Sequence, residues 1–579
     1  MARTTCILIA AVIVGCGPTA KHKPDGGGGD GGVDSAPLPH VLNGITVTPG
    51  DPIIELDLNA TAIVGFTATG NYADGIDEDL TSLVSWTVAN PAVGAMTSSS
   101  LAVPGFPTAM AVTSKITADY MNVQGVDQIT VVAYRKSGPQ QDFFFVLPYN
   151  DPMGQVAKPL DFATAIPALD VFFLMDTTGS MSGEISNLKT TLTNTIVPGI
   201  QAAVANSQFG VGALEDFPIS PYGSAPCAVQ NTNDQPLKLL QTITANTSAV
   251  SAAVNALATS SGAPIGCGND WPEGGFEAIY QVSTGQGLTS PAPTNIPANT
   301  VGVGGAGFRT GTMPVVVTIT DALSHGPGET ATCPTFSGAT AYAGAVAAAA
   351  HSRAQTKTAL AGICARSVGV AAIQTAYAAS CSGQEYLEDL ATATGARVPP
   401  AAWDVGVRPA GCAANQCCTD FNGVGRATDV DGLCPVVFRA NVDGTGIGAN
   451  IVTGIQMLAR FATFDVIRVA TGVGTDTSGN PLPAGHTTAD FLKSIAPHSF
   501  VLPPPPPVLP NPTFDATTFH NVTPGTQVTF TIDAFNDFVM QTDQAQIFKA
   551  TIQVLAGGCT PLDQRDVLIL VPPTPITIQ

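Results

Sequence analysis

Charge is scarce in this chain, and basic charge is scarcer still. Only 11% of the 579 residues are charged, with 22 Lys plus Arg against 43 Asp plus Glu and a formal net charge of −21. Lacking a basic run, the surface would repel a phosphate backbone, which excludes nucleic acid as a partner. The acidic excess is spread along the chain and mainly serves solubility. Histidine is sparse too, with seven residues scattered at 22, 40, 325, 351, 486, 498 and 520. No HExxH, GxSxG or Walker loop occurs. Nothing therefore converges on a nucleophile and its base, and no enzyme is expected. No apolar run approaches the ~20 residues of a membrane-spanning helix.

Glycine (60) and proline (46) are plentiful, a texture of strands, turns and linkers, and the length allows three or four domains. Residues 1–15 place Arg3 before a short apolar run at 6–14, the pattern of an export signal. Ile13-Val14-Gly15-Cys16 resembles a bacterial lipoprotein cleavage box. That resemblance implies that Cys16 becomes an acylated N-terminus held in a membrane leaflet. Gly17, where an aspartate would retain the protein at the inner membrane, favours the outer membrane. The expected location is the cell envelope, as an outer-membrane lipoprotein facing either side; a plain secretory signal is the alternative. Residues 16–40 include Asp25-Gly26-Gly27-Gly28-Gly29-Asp30 and have no apolar pattern, so they read as a tether.

Once Cys6 has left with the signal and Cys16 has taken lipid, ten of the 12 cysteines remain, an even number that reads as disulfides in an exported protein. Cys227 and Cys267 flank a variable loop, Cys333, Cys364 and Cys381 follow, and Cys412, Cys417, Cys418 and Cys434 cluster. The sequence leaves their pairing open. Zinc is disfavoured at the cluster, which has no CxxC pair and no nearby histidine.

The run Val171-Phe172-Phe173-Leu174-Met175-Asp176-Thr177-Thr178-Gly179-Ser180 is a buried strand that stops on an acid and continues into hydroxyls spaced by two. Hard cations take oxygen ligands, and Mg2+ is held by a few protein groups with other positions left for water or a partner. Asp176, Thr178 and Ser180 offer one charge and two neutral oxygens; an Asx turn is the simpler reading of the same loop. A second apolar run, Met313-Pro314-Val315-Val316-Val317-Thr318-Ile319-Thr320-Asp321, also ends on a carboxylate. A doubly wound α/β sheet presents its ligands at such strand ends.

The first loop resembles the DxSxS signature of von Willebrand factor A domains, with Thr178 in place of the first serine. Three more segments are similar to the A-like domain found in integrin beta chains: Phe209-Gly210 through Glu215-Asp216-Phe217-Pro218-Ile219-Ser220-Pro221-Tyr222, Asp270-Trp271-Pro272-Glu273-Gly274-Gly275-Phe276-Glu277-Ala278, and Thr320-Asp321-Ala322-Leu323-Ser324-His325. The resemblance implies a cation site at Asp176, Thr178, Ser180, Glu273 and Asp321 that takes Mg2+ or Mn2+ and holds an acidic group of a ligand. It implies a neighbouring Ca2+ site at Asp216, Asp270, the Pro272 carbonyl and Glu273, although Gly268 stands where the family has an asparagine. A third family ion is not expected, because its paired aspartates are Gly183 and Glu184 here.

The expected architecture is multidomain: an α/β doubly wound, Rossmann-like A domain flanked by all-β Ig-like sandwiches. Residues 41–134 alternate short apolar runs, such as the strand-like 61–68, with turns, and Gly65-Phe66-Thr67-Ala68-Thr69-Gly70-Asn71-Tyr72 followed by Ser85-Trp86-Thr87 resembles the bacterial Ig-like group 2 family, with Trp86 as a core residue. The A domain is expected at 168–460, with helices near 185–203, 248–257, 386–394 and 448–459 and a Cys-rich insertion at 403–436. Residues 461–579 read as a C-terminal sandwich. The linker and strand at 135–167 either joins that sandwich or belongs to a separate domain.

The expected function is a surface lipoprotein that binds a protein or extracellular-matrix ligand through a carboxylate and a cation, with lipid as its membrane attachment. The alternative is a structural envelope scaffold whose metal only stabilises the fold.

Overall fold

The computed structural model describes residues 39–574 except 139–140, 155, 227–231, 260–265, 336–339, 374–377, 407, 505–510 and 543. The signal, Cys16, nearly all of the tether and Cys227 lie outside the described residues.

Residues 42–133 form short sheets around a core of their own, which includes Ile45, Phe66, Leu101, Ile116 and Val131. The apolar run at 61–68 is two strands, Ala62–Gly65 and Thr67–Tyr72, in different sheets. Phe66 sits at the crossing and is 2% exposed, so it fills the space between them. Trp86 is half-buried against this core, and its indole N–H donates to the Thr81 carbonyl at 3.0 Å.

The region expected to be the A domain, labelled so from here on, is built on a six-stranded sheet. Its strands are β1 Leu169–Asp176, β2 Ser207–Leu214, β3 Lys238–Thr244, β4 Met313–Thr320, β5 Arg366–Ala372 and β6 Val437–Ala440, in the order β3-β2-β1-β4-β5-β6. All neighbours are parallel except the edge strand β3. Every residue of β1 and β4 is buried, as an unbroken apolar run requires when both faces of a sheet are covered. Phe172 and Phe173 are fully buried, each contributing about 1.5–3 kcal/mol.

The main helices are α1 Ser182–Thr191, α2 Val197–Ala203, α3 Thr247–Ala256, α4 Gly275–Thr284, α5 Gly344–Ala349, α6 Arg353–Gly362, α7 Gln384–Ala393 and α8 Ile447–Phe461. The periodicity at 185–203 corresponds to α1, a wide helical turn at Leu192–Ile196 and α2, a helical run that continues through Pro198.

The C-terminal strands take in the segment before the A domain. Phe143–Val146 pairs with Thr560–Val571, and Val156–Ala163 pairs with Gln527–Ala534. In the three-stranded sheet, Gln527–Ala534 is central, while Val156–Ala163 and Leu492–Val501 are the edges that carry Pro159 and Pro497. Proline cannot donate to a ladder, and edges tolerate it. One continuous core runs from Phe143 through the A domain to Val571.

Four disulfides have both partners described: Cys333–Cys381, Cys364–Cys559, Cys412–Cys418 and Cys417–Cys434. The last two staple the Cys-rich insertion, and Cys364–Cys559 ties the A domain to the C-terminal strands. Asp429 and Asp431 in that insertion both pair with Arg397. Among the described residues no helix is long and apolar enough to cross a membrane.

Candidate metal centre

The centre lies at the carboxyl ends of β1, β2 and β4, which are neighbours in the sheet. Asp176 is the last residue of β1, and Asp321 comes immediately after β4. Glu273 precedes α4 on a loop zipped to the one after β4: its N–H donates to the Leu323 carbonyl at 2.8 Å, and the His325 N–H donates to the Glu273 carbonyl at 2.7 Å. The Gly274 N–H donates to the Glu215 carbonyl at 2.8 Å, which ties the same loop to the end of β2. The Ser324 hydroxyl accepts from the Phe276 N–H at 2.8 Å and so caps α4 from outside.

Asp176 is wholly buried. Its Oδ1 accepts from the Thr178 N–H at 2.9 Å and the Thr178 hydroxyl at 2.7 Å, and its Oδ2 accepts from the Thr320 hydroxyl at 2.6 Å. The loop is thus an Asx turn that also presents hydroxyls, with Ser180 Oγ 3.4 Å from Thr178 Oγ1. Burial, followed by the charge of Asp321, pushes the Asp176 carboxyl up to about 7. Glu273, 4% exposed, is held well above its usual range by burial and then by Asp176. Its Oε2 is buried without a hydrogen-bond partner. Glu184, on α1, has neither carboxylate oxygen hydrogen-bonded, and burial pushes it up to about 8.

Buried carboxylates with raised pKa values and an orphaned oxygen form a site short of positive charge. This chemistry fits a divalent cation held by oxygen. The structure thus gathers Asp176, Thr178, Ser180, Glu273 and Asp321 from three loops onto one face.

The Asp216 group differs in part: Asp270 also has a buried oxygen, Oδ1, without a hydrogen-bond partner, and burial pushes its carboxyl up to about 7, whereas Asp216 is well supplied with donors. Asp216, Asp270 and His325 offer ligand atoms within 4.8 Å of one another, a set that could hold a metal. Yet Asp216 already accepts from the Phe217 N–H at 2.6 Å, the Tyr342 hydroxyl at 2.5 Å and His325 Nδ1–H at 2.5 Å. Pro272 is buried beside Glu273. Gly268, at φ +67°, faces Thr178 and Glu273 and has no side-chain oxygen to offer. Gly183 lies so close to the Val442 carbonyl that no side chain fits there.

Residues 163–287 match the integrin beta chain VWA domain. The matched stretch runs from the strand before β1 to just past the end of α4 and includes Asp176, Thr178, Ser180, Asp216, Asp270 and Glu273; Asp321 and His325 lie beyond it. Among solved structures, the chain is similar to the pilus adhesin SpaC from Lactobacillus rhamnosus GG in its open conformation, at 12% identity and a TM-score of 0.27. That alignment covers 77% of this chain and 51% of the adhesin, so the chain spans about half the adhesin's length. No curated protein matches the chain.

Sequence reasoning missed several groups that shape the face. Thr320 orients Asp176 from the neighbouring strand. Thr177 donates to Glu215 at 3.0 Å, and Glu215 is pushed up to about 10 by burial and then by its bond to Asp234. An acid at the end of an otherwise apolar strand, Glu215 beside Asp216, was the available signal. Tyr342 and Asp234 gave none, because only folding brings them near.

Proposed function

We propose that the A domain binds a divalent cation through Asp176, Thr178, Ser180, Glu273 and Asp321 and uses it to hold a carboxylate of a protein or matrix ligand. The observation that carries this is the cluster of buried acids at the carboxyl ends of neighbouring interior strands, with Glu273 Oε2 left without a partner. The match of residues 163–287 to the integrin beta chain VWA domain supports the same reading. When bound, Mg2+ or Mn2+ would supply a Lewis-acidic centre with coordination positions open to an acidic side chain. Thr320 and the Thr178 N–H hold the Asp176 carboxylate in one orientation, and the zipped loops hold Glu273 beside it. In this reading the chain is an adhesive lipoprotein of the cell envelope, anchored through Cys16, and is not an enzyme.

Calorimetric titration of the chain with Mg2+, Mn2+ and Ca2+ tests the reading, with Asp321→Ala alongside. Saturable binding that the variant loses is expected. Absence of binding to the folded wild type would favour a scaffold.

A further inference from the structure

We infer that the second cation position of this domain is filled by the protein itself: His325 and Tyr342 stand between and beside Asp216 and Asp270 in place of an ion. The face then carries one divalent ion rather than two, which rests on the proposed function for the first ion. A calcium ion requires six to eight oxygens arranged around an open centre. Here the centre is a side chain. His325 is wholly buried, with Nδ1 2.5 Å from Asp216 Oδ2 and Nε2 3.5 Å from Asp270 Oδ2, so its ring lies between the two carboxylates an ion would bridge.

The ring is also fixed there. Tyr222 meets it edge-on at 5.0 Å, Tyr342 packs at 4.8 Å, and the His325 N–H is bonded to the Glu273 carbonyl. The Tyr342 hydroxyl and the Phe217 N–H both converge on the other oxygen of Asp216.

The oxygen set is also depleted. Gly268 provides no side-chain ligand. Asn269 does not compensate, because its exposed side chain turns away and donates to the Pro221 carbonyl at 2.7 Å. Hydrogen-bond donors thus do for Asp216 what a cation would otherwise do.

The test is ion stoichiometry on the full chain in detergent, stripped by chelator and then equilibrated with Mg2+ or Ca2+ before elemental analysis. One ion per chain is expected for wild type and none for Asp321→Ala. Two ions in wild type, or one Ca2+ retained by Asp321→Ala, would overturn the inference. No ion in wild type would remove the proposed adhesion site and leave this inference standing, so the two failures are distinguishable. Asp270→Asn should keep the wild-type stoichiometry; loss of one ion would overturn the proposal. His325→Gln, which vacates the position, should bind one more Ca2+ than wild type and gain several degrees of melting temperature in millimolar calcium. A folded variant that gains neither would show that histidine is not the stand-in.

Discussion

Strand β1 carries an acid near each end, and the two are treated oppositely. Asp170 and Asp176 are both wholly buried. Asp170 receives Arg309 through Nε at 2.8 Å and a terminal nitrogen at 2.6 Å, with Thr312 donating at 2.9 Å. Asp176 meets only neutral donors from Thr178 and Thr320, and its charged neighbours are other acids. The protein thus supplies a guanidinium where the acid is structural and supplies no described cation at the other end of the strand. A buried acid without a counter-charge is expensive unless an ion or proton arrives.

The contrast can be broken at either end. Asp321→Ala should abolish ion binding in calorimetry, and Asp176→Asn should do so without lowering the melting temperature of the chelated protein, because it removes a buried acid whose charged neighbours are other acids. Arg309→Ala should do the reverse. It strands Asp170 and costs about 3–5 kcal/mol in denaturant unfolding, while the remaining folded fraction still binds the ion. Thr320→Val leaves the acids in place but frees the Asp176 carboxylate, and should weaken ion affinity by about 10–100-fold. Tyr342→Phe removes a donor from Asp216 and should cost about 1–3 kcal/mol of stability with little change in affinity for the first ion.

A further prediction concerns pH. Glu184 is pushed up to about 8 from its usual 4.5, so the folded state without metal binds more protons than the unfolded state between these values. Stability of the chelated protein should therefore fall as pH rises from 5 to 8. Glu184→Gln should make that slope shallower in thermal melts across the same range, leaving the part due to Asp176 and Glu215.

Much of the A domain was legible because its strands and loops are local. An unbroken apolar run ending on Asp176 or Asp321 specifies both a buried strand and the group delivered at its tip. The helices at 247–256, 384–393 and 447–461 fell within a few residues of their periodic patterns. Less could be read where a local pattern had two meanings. The run at 61–68 reads as one strand, and only packing shows that Phe66 divides it between sheets. The Asp216 group reads as a calcium site in its own motif, but the donors that occupy it come from His325 and Tyr342, more than 100 residues further along.

By itself the sequence determined which residues could carry charge into the interior and where the strands end, since these depend on composition and short-range pattern. Tertiary structure decided what depends on distant partners. It paired Phe143–Val146 with Thr560–Val571 across the whole A domain, joined Cys364 to Cys559, and gave Asp170 a guanidinium while leaving Asp176 among acids. Such choices rest on free energies of burial and pairing between segments far apart in the chain, which no local window contains.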